Sequence, residues 1–313
     1  MSPAPVMIPA YRRLEHLKLT IEALRKNTLA RETVLYITSD GPRPGDEKAV
    51  GRVREFLHTV EGFGHVELLL RDHNDRLENW KFRRRLAREH GRMIYLEDDC
   101  VTSPHFLSYM NACLERFRDD ERIFSISGYL PPLTGLECGP FRLLRAQRFE
   151  AWGCGIWDRS DALVQTHPSR DEFHEFIRSK ELRSRTIRKT GGNIFGMLRR
   201  SAMGKLLAYD VMSNYEIVKR DLQVIFPSHS MVQNTGMDGS GAHCGNSDRY
   251  ETRLYEGESL DWSEVPEDPT PATTHRLAEF YGSDLRGRLK FYSKLWRKRL
   301  DLKGHDSHAR LDF

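Results

Sequence analysis

The stretch MIYLEDDCV, at residues 93–101, joins a short apolar run to three consecutive acidic residues. An apolar run with a β-branched and an aromatic member is typical of a buried strand, so Glu97, Asp98 and Asp99 are predicted to follow its carboxyl end. Adjacent carboxylates repel one another, most strongly at the rim of a core where solvation is incomplete. Mg²⁺ or Mn²⁺ would relieve that repulsion, because hard cations prefer oxygen ligands. A solvated acidic turn is the alternative interpretation.

The sequence before this stretch alternates between strand and helix patterns. Strands are predicted at 6–9, 33–38, 66–70 and 93–97, and helices at 14–24, 45–60 and 76–90. Strand, helix and strand form a right-handed parallel unit, so we predict an α/β fold with a Rossmann-like mixed, mostly parallel sheet and helices on both faces. Ligands bind beyond the carboxyl ends of the strands in such sheets, where the acidic triplet would lie.

The second half has weaker patterns. Helices are predicted at 104–117, 170–182, 194–208, 214–220 and 275–300, and strands at 123–128 and 222–227. Residues 131–157 lose a regular period and are predicted to be loops that build a binding surface. Four glycines within 236–247 predict another loop, and three prolines within 264–273 predict a linker.

Composition places the chain among globular proteins. It has 313 residues, of which 39% are hydrophobic and 30% charged, with a formal net charge of +4. No run approaches the roughly 18 to 20 apolar residues of a membrane span, and the first residues lack a signal-peptide pattern, so we expect a cytoplasmic protein. The five cysteines form no CxxC pair, so neither a disulfide framework nor a structural zinc site is predicted.

Several short motifs occur in an order that resembles a known family. They are IPAYRR (8–13), SDGPR (39–43), LEDDCVTSPHFLSYMN (96–111), WGCGIW (152–157), YDVMSNYEIVKRDLQVIFPSHSMVQNTG (209–236) and GSGAHC (239–244). Together they resemble the N-acetylglucosaminyltransferase I-like branch of the GT-A glycosyltransferases, especially its bacterial members that make surface polysaccharides. Each motif alone is weak, so the resemblance rests on the ordered set, which spans about three quarters of the chain.

The resemblance implies a nucleotide site after the first two strands. Pro9, Tyr11 and Arg12 match the segment that cradles the nucleotide in this family. Asp40 matches a position where an acid commonly accepts a hydrogen bond from the base, and a carboxylate suits the N–H donor of a uracil-type ring. A helix start and an Asp-Gly-Pro turn are the respective structural alternatives.

The resemblance also implies a metal and diphosphate site. Asp99 matches a direct ligand of Mn²⁺ or Mg²⁺, with Asp98 placed toward the ribose or a metal-bound water. A divalent ion would stabilise the charge of the departing diphosphate as a Lewis acid. His243 matches a histidine that many GT-A enzymes bring to the metal or the diphosphate, and Asn234 and Ser240 are expected to shape the same loop. A lone histidine is also a common surface or core residue.

Catalytic and acceptor-binding residues are implied in the second half. Asp210 matches the general base of inverting members, with Glu216 as the second candidate; an N-cap is the structural alternative for Asp210. Trp152, Trp157 and Asp158 are expected to form a platform for the acceptor or the donor sugar, because indole faces stack on sugar rings. Burial in the core is the alternative for the two tryptophans.

Basic residues concentrate at 182–205 and 285–303. The first group could close over the diphosphate or be a solvated helix face. The second combines Arg and Lys with Trp296 and Phe291, a composition expected of a peripheral helix on an anionic membrane, although an oligomer interface or internal packing could use the same residues. This predicts contact with the inner face of the cell membrane.

The function predicted from the sequence is a metal-dependent inverting hexosyl- or N-acetylhexosaminyltransferase. It would use a nucleoside diphosphate sugar, with UDP expected, and a saccharide or lipid-linked saccharide acceptor. Its GT-A domain would span 1–262, with a nucleotide-binding half at 1–128, an acceptor-side half at 129–262, a linker at 263–274 and a basic C-terminal helix and tail at 275–313. The alternatives are a sugar-nucleotide nucleotidyltransferase, although IPAYRR lacks the usual glycine-rich loop and lysine, and a non-catalytic saccharide-binding module. No nucleic-acid partner is predicted.

Overall fold

The structure is a computed structural model that describes residues 2–133, 135, 139–240, 245–258, 260–265, 267–268, 272–283 and 293. Its strands are β1 (Val6–Ala10), β2 (Val34–Ser39), β3 (His65–Leu70), β4 (Arg92–Tyr95), β5 (Cys100–Thr102), β6 (Ile123–Ser127), β7 (Leu143–Ala146), β8 (Cys154–Trp157), β9 (Gln223–Pro227), β10 (Val232–Asn234) and β11 (Glu267–Asp268). Its α-helices are α1 (Leu14–Arg25), α2 (Glu47–Leu57), α3 (Arg76–His90), α4 (Phe106–Arg116), α5 (Asp158–Asp161), α6 (Arg170–Arg178), α7 (Lys180–Thr190), α8 (Ile194–Ala202), α9 (Tyr209–Arg220) and α10 (Ala272–Ala278).

Within these residues, nine strands form one sheet in the order β11-β7-β9-β6-β8-β4-β1-β2-β3. The parallel pairs β1–β2, β2–β3, β1–β4 and β6–β9 give most of the sheet a common direction. Strand β8 runs antiparallel between β4 and β6, and β7 runs antiparallel to β9. The predicted mixed, mostly parallel α/β sheet is therefore confirmed.

The chain reverses its direction of sheet growth at β1. It builds β2 and β3 on one side of β1 and then returns to place β4 on the other side. The loops after β1 and β4 consequently diverge and leave a crevice at the carboxyl ends of these strands, which is where open α/β sheets bind ligands. The acidic triplet follows β4 and lies at this crevice.

Helices cover both faces of the sheet. Val6 and Ile8 of β1 pack on one side with residues of α1, α2 and α4, whereas Met7 packs on the other side with residues of α3 and α6–α9. This alternation follows from the period of two in a strand. Both faces of the sheet are therefore buried, which explains why the central strands are continuously apolar.

Local signals fix the ends of the helix predicted at 76–90. The Asp75 side chain accepts a hydrogen bond from the backbone of Leu77 at its start, and Gly91 adopts a left-handed φ of 73° at its end. Both are standard helix boundaries. The helix predicted at 170–182 is instead divided, because Ser179 has an extended conformation and its side chain caps α7 through the Leu182 amide.

Two predictions about irregular segments are wrong. Residues 131–157 contain β7 and β8, whose four-residue lengths are too short to show a period next to glycine and proline. Part of the predicted linker belongs to the domain, because Val265 is buried in the core and β11 pairs with β7. Glu267 also forms ion pairs with Arg145 at 2.6 Å and Arg116 at 3.3 Å.

The C-terminal region is helical where the structure describes it. Helix α10 buries Leu277 and Ala278, and a π-helical turn follows at Glu279–Ser283. The basic segment predicted to meet a membrane, 285–303, lies outside the described residues apart from Ser293. In the part of the chain that is described, no helix combines the length and apolar character needed to cross a membrane.

Candidate active site

Two carboxylates at the end of β4 converge on one arginine. Arg13, in the loop between β1 and α1, pairs through Nη1 with Oδ2 of Asp99 at 2.7 Å and through Nη2 with Oδ1 of Asp98. The side chains are only 20%, 5% and 10% exposed, respectively. Burial disfavours the charged guanidinium, but the two carboxylates outweigh this effect and raise the pKa of Arg13. Arg13 therefore remains a cation and offsets one of the two negative charges.

The end of β10 and the loop after it support Asp99 from the other side. Asn234 donates from Nδ2 to Oδ1 of Asp99 at 2.9 Å, and the Thr235 amide and hydroxyl both donate to the Asp99 carbonyl oxygen. These contacts follow from the antiparallel pair β5–β10, which aligns Asn234 with Cys100. A methyl group at Gly236 would lie 2.0 Å from Oδ2 of Asp99, so any side chain at this position would displace the carboxylate or the loop.

Glu97 is the first acid of the triplet and is half-buried. Burial and the nearby charges of Asp99 and Asp98 raise the pKa of Glu97 to about 8. The Asp210 carboxylate acts in the same direction, which places α9 within electrostatic reach of the triplet. Burial also raises the pKa of Asp98, although Arg13 opposes that shift. The crevice thus holds more acidic groups than Arg13 alone neutralises.

A second polar group lies at the carboxyl end of β2. Asp40 is buried and accepts hydrogen bonds from Arg71 at 2.9 Å and from the Asn79 amide, which is 3.2 Å from both carboxylate oxygens. Burial raises the pKa of Asp40, while the bonds from Arg71 and Asn79 oppose the shift. The next residue, Gly41, lies so close to the 72–73 backbone that a methyl group there would be 2.3 Å from the Asp72 carbonyl oxygen. The loops after β2 and β3 therefore form one rigid wall.

The remaining predicted nucleotide residues line the rim of the crevice. The Tyr11 hydroxyl donates to Oδ2 of Asp46 at 2.8 Å, and Arg12 pairs with Oδ1 of the same carboxylate at 2.9 Å. The Arg43 amide donates to the Tyr11 hydroxyl. Pro9 is half-buried in β1. Tyr11 and Arg12 therefore connect the β1 loop to the start of α2, and their role toward a nucleotide stays a prediction.

Asp210 lies in the first turn of α9, whose N-cap is Ala208. The helix begins five residues earlier than the predicted 214, so Asp210 is inside it and is not its cap. Asn214 fixes this end of the helix: its Nδ2 donates to the Asp210 carbonyl oxygen at 2.8 Å and to that of Phe149 at 3.1 Å, and its Oδ1 accepts from the Phe149 amide. Asp210 is thus held on a rigid element near Glu97.

Glu216 has a different environment. It lies six residues after Asp210, so about 600° of helical rotation separates the two and they point in different directions. Its carboxylate is buried and pairs with Nε of Arg220 at 2.8 Å. This arrangement explains Glu216 as one member of a helical ion pair, and it does not support the prediction of an alternative base.

Buried charges position the start of α9. Asp161 is fully buried and pairs with Arg83 at 2.6 Å and Arg84 at 3.1 Å. The guanidinium carbon of Arg83 lies 3.2 Å from the centroid of the Tyr209 ring. Tyr209 directly precedes Asp210, so this ion pair supports the position of the candidate base.

The predicted aromatic platform is divided between two edges of the sheet. Because β8 is antiparallel to β4, Cys154 pairs with Tyr95 near the acidic triplet while Trp157 pairs with Arg92 at the far edge. Trp157 is 3% exposed and donates from Nε1 to the Leu114 carbonyl oxygen. The prediction of Trp157 and Asp158 as platform residues is therefore wrong.

Trp152 remains compatible with a platform. It precedes β8 at the same edge as the acidic triplet and is half-buried. Its ring packs edge-on against Tyr129 and Tyr250, with centroid distances of 4.8 Å and 5.5 Å. The indole is thus rigidly held, as a stacking surface requires.

The described residues fit a divalent cation only in part. Among them, no three His, Cys, Asp or Glu side chains converge as a complete metal cage, and His243 lies outside the described ranges. Mg²⁺ is usually held by one or two carboxylates together with substrate phosphates. Asp98 and Asp99 already converge on one positive group, Arg13, so this all-oxygen pair is suited to a cation whose other ligands come from a phosphate.

Sequence reasoning identified the acids but missed several of their partners. Arg13 stands beside the predicted Arg12, and Arg71 follows β3 at the same sheet edge as Asp40. The rule that parallel strands end at one edge could have indicated Arg71. Nothing in the sequence distinguishes Arg13 from Arg12. The contact of Asn79 with Asp40 depends on the orientation of α3, which the sequence does not indicate.

No protein-family model matches the chain, and no curated protein sequence matches it significantly. Solved structures with similarity include the mannosyltransferase PcManGT from Pyrobaculum calidifontis in complex with GDP-Man and Mn²⁺, with a TM-score of 0.35, 12% identity and coverage of 50% of this chain and 45% of that one. TarS from S. aureus has a TM-score of 0.27 and 10% identity, with coverage of 47% of this chain and 22% of TarS. The "putative nucleotide-diphospho-sugar transferase" from Desulfovibrio desulfuricans G20 has a TM-score of 0.32 and 11% identity, with coverage of 72% of this chain and 80% of that one. This chain thus spans less than half of the first two proteins. Scores this low carry no conclusion about activity.

Proposed function

We propose that the chain is a GT-A glycosyltransferase that uses a nucleoside diphosphate sugar and resembles the N-acetylglucosaminyltransferase I-like branch. The observation that carries this proposal is the convergence of two polar groups at one sheet edge: Asp98 and Asp99 with Arg13, and Asp40 with Arg71. Both groups follow parallel strands beside the topological switch point, the usual position of a nucleotide.

The separation of these groups suits the two ends of a nucleoside diphosphate. Strands β2 and β4 flank β1, so they lie about 10 Å apart. We assign the base to the wall containing Asp40 and the diphosphate to the region of Asp98 and Asp99. A carboxylate acceptor suits the N–H donor of a uracil ring, and UDP is the nucleotide we propose. Tyr11 and Arg12 are proposed to cover the nucleotide at the rim.

Asp99, with Asp98, is proposed to hold Mn²⁺ or Mg²⁺. When bound, the ion supplies positive charge that stabilises the departing diphosphate. Asn234 keeps Asp99 in place by occupying its Oδ1, and Gly236 lets the loop backbone approach the carboxylate. His243 is retained as a proposed further ligand.

Asp210 is the proposed general base of an inverting transfer. The acceptor oxygen would form a bond to the anomeric carbon while the bond from that carbon to the diphosphate breaks, and the acceptor proton would pass to the Asp210 carboxylate. Trp152 is proposed to stack on a sugar ring. The hexosyl or N-acetylhexosaminyl identity of the donor belongs to the same proposal.

The proposed acceptor is a saccharide hydroxyl in cell-surface polysaccharide or glycolipid synthesis. A lipid-linked acceptor would require the enzyme to work at a membrane. The basic and aromatic composition of 285–303 supports peripheral contact at the inner face. This part of the proposal rests on the sequence alone.

The test combines binding and product analysis. Melting temperatures are measured with UDP, GDP, CMP and dTDP, each with Mn²⁺ or EDTA, on the wild type and Asp99→Asn. A ligand that binds only the folded state raises the melting temperature. We expect one nucleotide, UDP, to do so only with Mn²⁺ and Asp99. Its sugar conjugates, supplied with a saccharide acceptor, should then release UDP; release of pyrophosphate from UTP and a sugar 1-phosphate would instead identify a nucleotidyltransferase, and no shift with any nucleotide would refute the proposal.

A further inference from the structure

Arg13 occupies the position that a metal ion would need. Its Nη1 lies 2.7 Å from Oδ2 of Asp99, and its Nη2 bonds to Oδ1 of Asp98. The other Asp99 oxygen, Oδ1, accepts from Asn234 at 2.9 Å. Both Asp99 oxygens are therefore already engaged, and a dication cannot approach Oδ2 while Arg13 remains there.

Electrostatics makes this arrangement stable without a metal. The two carboxylates are nearly buried, and an unpaired buried charge is strongly unfavourable. Arg13 is the cation that the structure places directly against both of them. Any metal must therefore compete with Arg13, and Arg13 must find another anion if it is not to remain unpaired.

The geometry allows such an exchange. Arg13 is the residue that precedes α1, its φ and ψ are non-helical at −94° and 74°, and its side chain is 20% exposed. It can therefore change rotamer without moving the helix. A diphosphate coordinated to the same cation as Asp99 would bring phosphate oxygens near Arg13, and guanidinium groups bind phosphates well.

We propose that Arg13 is the counter-cation of the Asp98–Asp99 pair while no metal is bound. A divalent metal displaces Arg13 from the two acids, and Arg13 then pairs with the phosphates of a nucleoside diphosphate. The second step rests on the proposed function. A metal that binds alone breaks the ion pairs of Arg13 and leaves the guanidinium without an anion. A metal that binds together with a diphosphate replaces these pairs with pairs between Arg13 and the phosphate oxygens. The two ligands consequently bind with strong positive coupling, and this coupling is reciprocal.

The first measurement is the affinity for Mn²⁺ alone, by electron paramagnetic resonance and calorimetry, on the wild type, Arg13→Gln and Lys18→Gln. Lys18 is an exposed cation on α1 that pairs with Glu15, so its variant controls for the loss of one positive charge. We expect Arg13→Gln to bind Mn²⁺ at least about tenfold more tightly than the wild type, within the usual range of coupling effects, and more tightly than Lys18→Gln. Equal affinities in the three proteins would overturn the proposal.

The second measurement repeats the Mn²⁺ titration with saturating UDP, GDP or dTDP. The wild type should gain at least about tenfold in Mn²⁺ affinity with the nucleotide that binds, and Arg13→Gln should lose most of that gain. An undiminished gain in Arg13→Gln would overturn the exchange. If no nucleotide binds the wild type while Arg13→Gln still binds Mn²⁺ more tightly, the proposed function fails and the competition stands.

A second variant guards against misfolding. Arg13→Gln leaves two nearly buried carboxylates without their cation, so circular dichroism with and without Mn²⁺ is measured alongside. Arg13→Lys keeps one positive charge but lacks the planar fork that reaches both acids. It should fold and give Mn²⁺ affinity between those of the wild type and Arg13→Gln. If Arg13→Gln does not fold, and if a folded Arg13→Lys protein binds Mn²⁺ with the same affinity as the wild type, the proposal is refuted.

Discussion

Asn234 and Asp99 are joined by a 2.9 Å hydrogen bond although 135 residues separate them in the chain. The bond exists because β10 pairs with β5 directly beyond the acidic triplet. Asp99 comes from the first half of the chain, but its orientation is set by the second. The metal and diphosphate site proposed here is therefore a product of the complete domain.

Gly236 provides the first test of this relationship. A Gly236→Ala substitution would put a methyl group 2.0 Å from Oδ2 of Asp99 and 2.8 Å from Nη1 of Arg13, so the carboxylate or the loop must move. We expect the Mn²⁺-dependent rise in melting temperature with UDP to fall to a small fraction of the wild-type value. Gly245→Ala is the control, because a methyl group there has no neighbour within 4 Å. Equal ligand responses in both variants would show that the approach of Gly236 is unimportant.

Asp210→Asn tests the proposed general base. A well-placed base contributes about 100- to 10,000-fold to the rate, so kcat should fall by that factor. The donor KM and the Mn²⁺-dependent UDP binding should change little. Glu216→Gln is the matched comparison on the same helix: it removes a charge paired with Arg220, costs about 0.5 kcal/mol and leaves kcat near the wild-type value. The opposite order of effects would make Glu216 the base.

Asp40→Asn tests the base site. Asparagine keeps the size of the side chain but removes the charge that Arg71 pairs with and one of the two acceptor oxygens. We expect UDP affinity to fall by about ten- to a hundredfold, since one hydrogen bond to a charged group is worth about 1.5–3 kcal/mol. Affinity for Mn²⁺ and inorganic pyrophosphate should not change, which calorimetry can measure. A matching loss for pyrophosphate would place Asp40 at the diphosphate.

The first half of the fold could be predicted because its signals are local. Alternating strand and helix periods gave β1 to β4, and the rule for parallel sheets put the acids at the ligand-binding edge. Trp157 shows where local signals fail. Its distance in sequence from Trp152 is five residues, but an antiparallel strand between them carries the two to opposite edges of the sheet. Strand direction depends on pairing with β4 and β6, which no local pattern contains.

The site partners were difficult to predict for a related reason. Arg13 and Arg12 are adjacent arginines, yet Arg13 contacts the acid pair and Arg12 contacts Asp46. Which one turns inward depends on where α1 starts relative to β4. Asp158 and Asp161 show the same difficulty, because a single turn of α5 leaves the first half-buried and buries the second completely.

Glu97 predicts how the metal-free protein responds to pH. Its pKa is raised from 4.5 to about 8 in the folded protein, chiefly by burial and by Asp99. The folded state therefore binds more protons than the unfolded state between these values. The stabilising contribution is fully present below pH 4.5 and is lost as the pH rises through 8. Urea unfolding in EDTA should show Glu97→Gln to be less sensitive to pH across this window than the wild type. Identical pH profiles would exclude Glu97 as the cause.

Asp161 predicts how strongly α9 depends on a buried charge. Its carboxylate is fully buried and pairs with Arg83 at 2.6 Å and Arg84 at 3.1 Å, so Asp161→Asn leaves Arg83 as a buried cation without its counter-charge. Breaking one side of a buried pair typically costs about 3–5 kcal/mol of unfolding free energy.

Asp158→Asn is the matched control on the same short helix, and we expect it to cost no more than about 1 kcal/mol, the value of a charge at a helix N-terminus. Urea unfolding at pH 7 compares the two variants. Because Arg83 also packs 3.2 Å above the Tyr209 ring, Asp161→Asn should lower kcat beyond its effect on the folded fraction. A stability loss with unchanged kcat per folded molecule would show that the ion pair supports the fold without positioning Asp210.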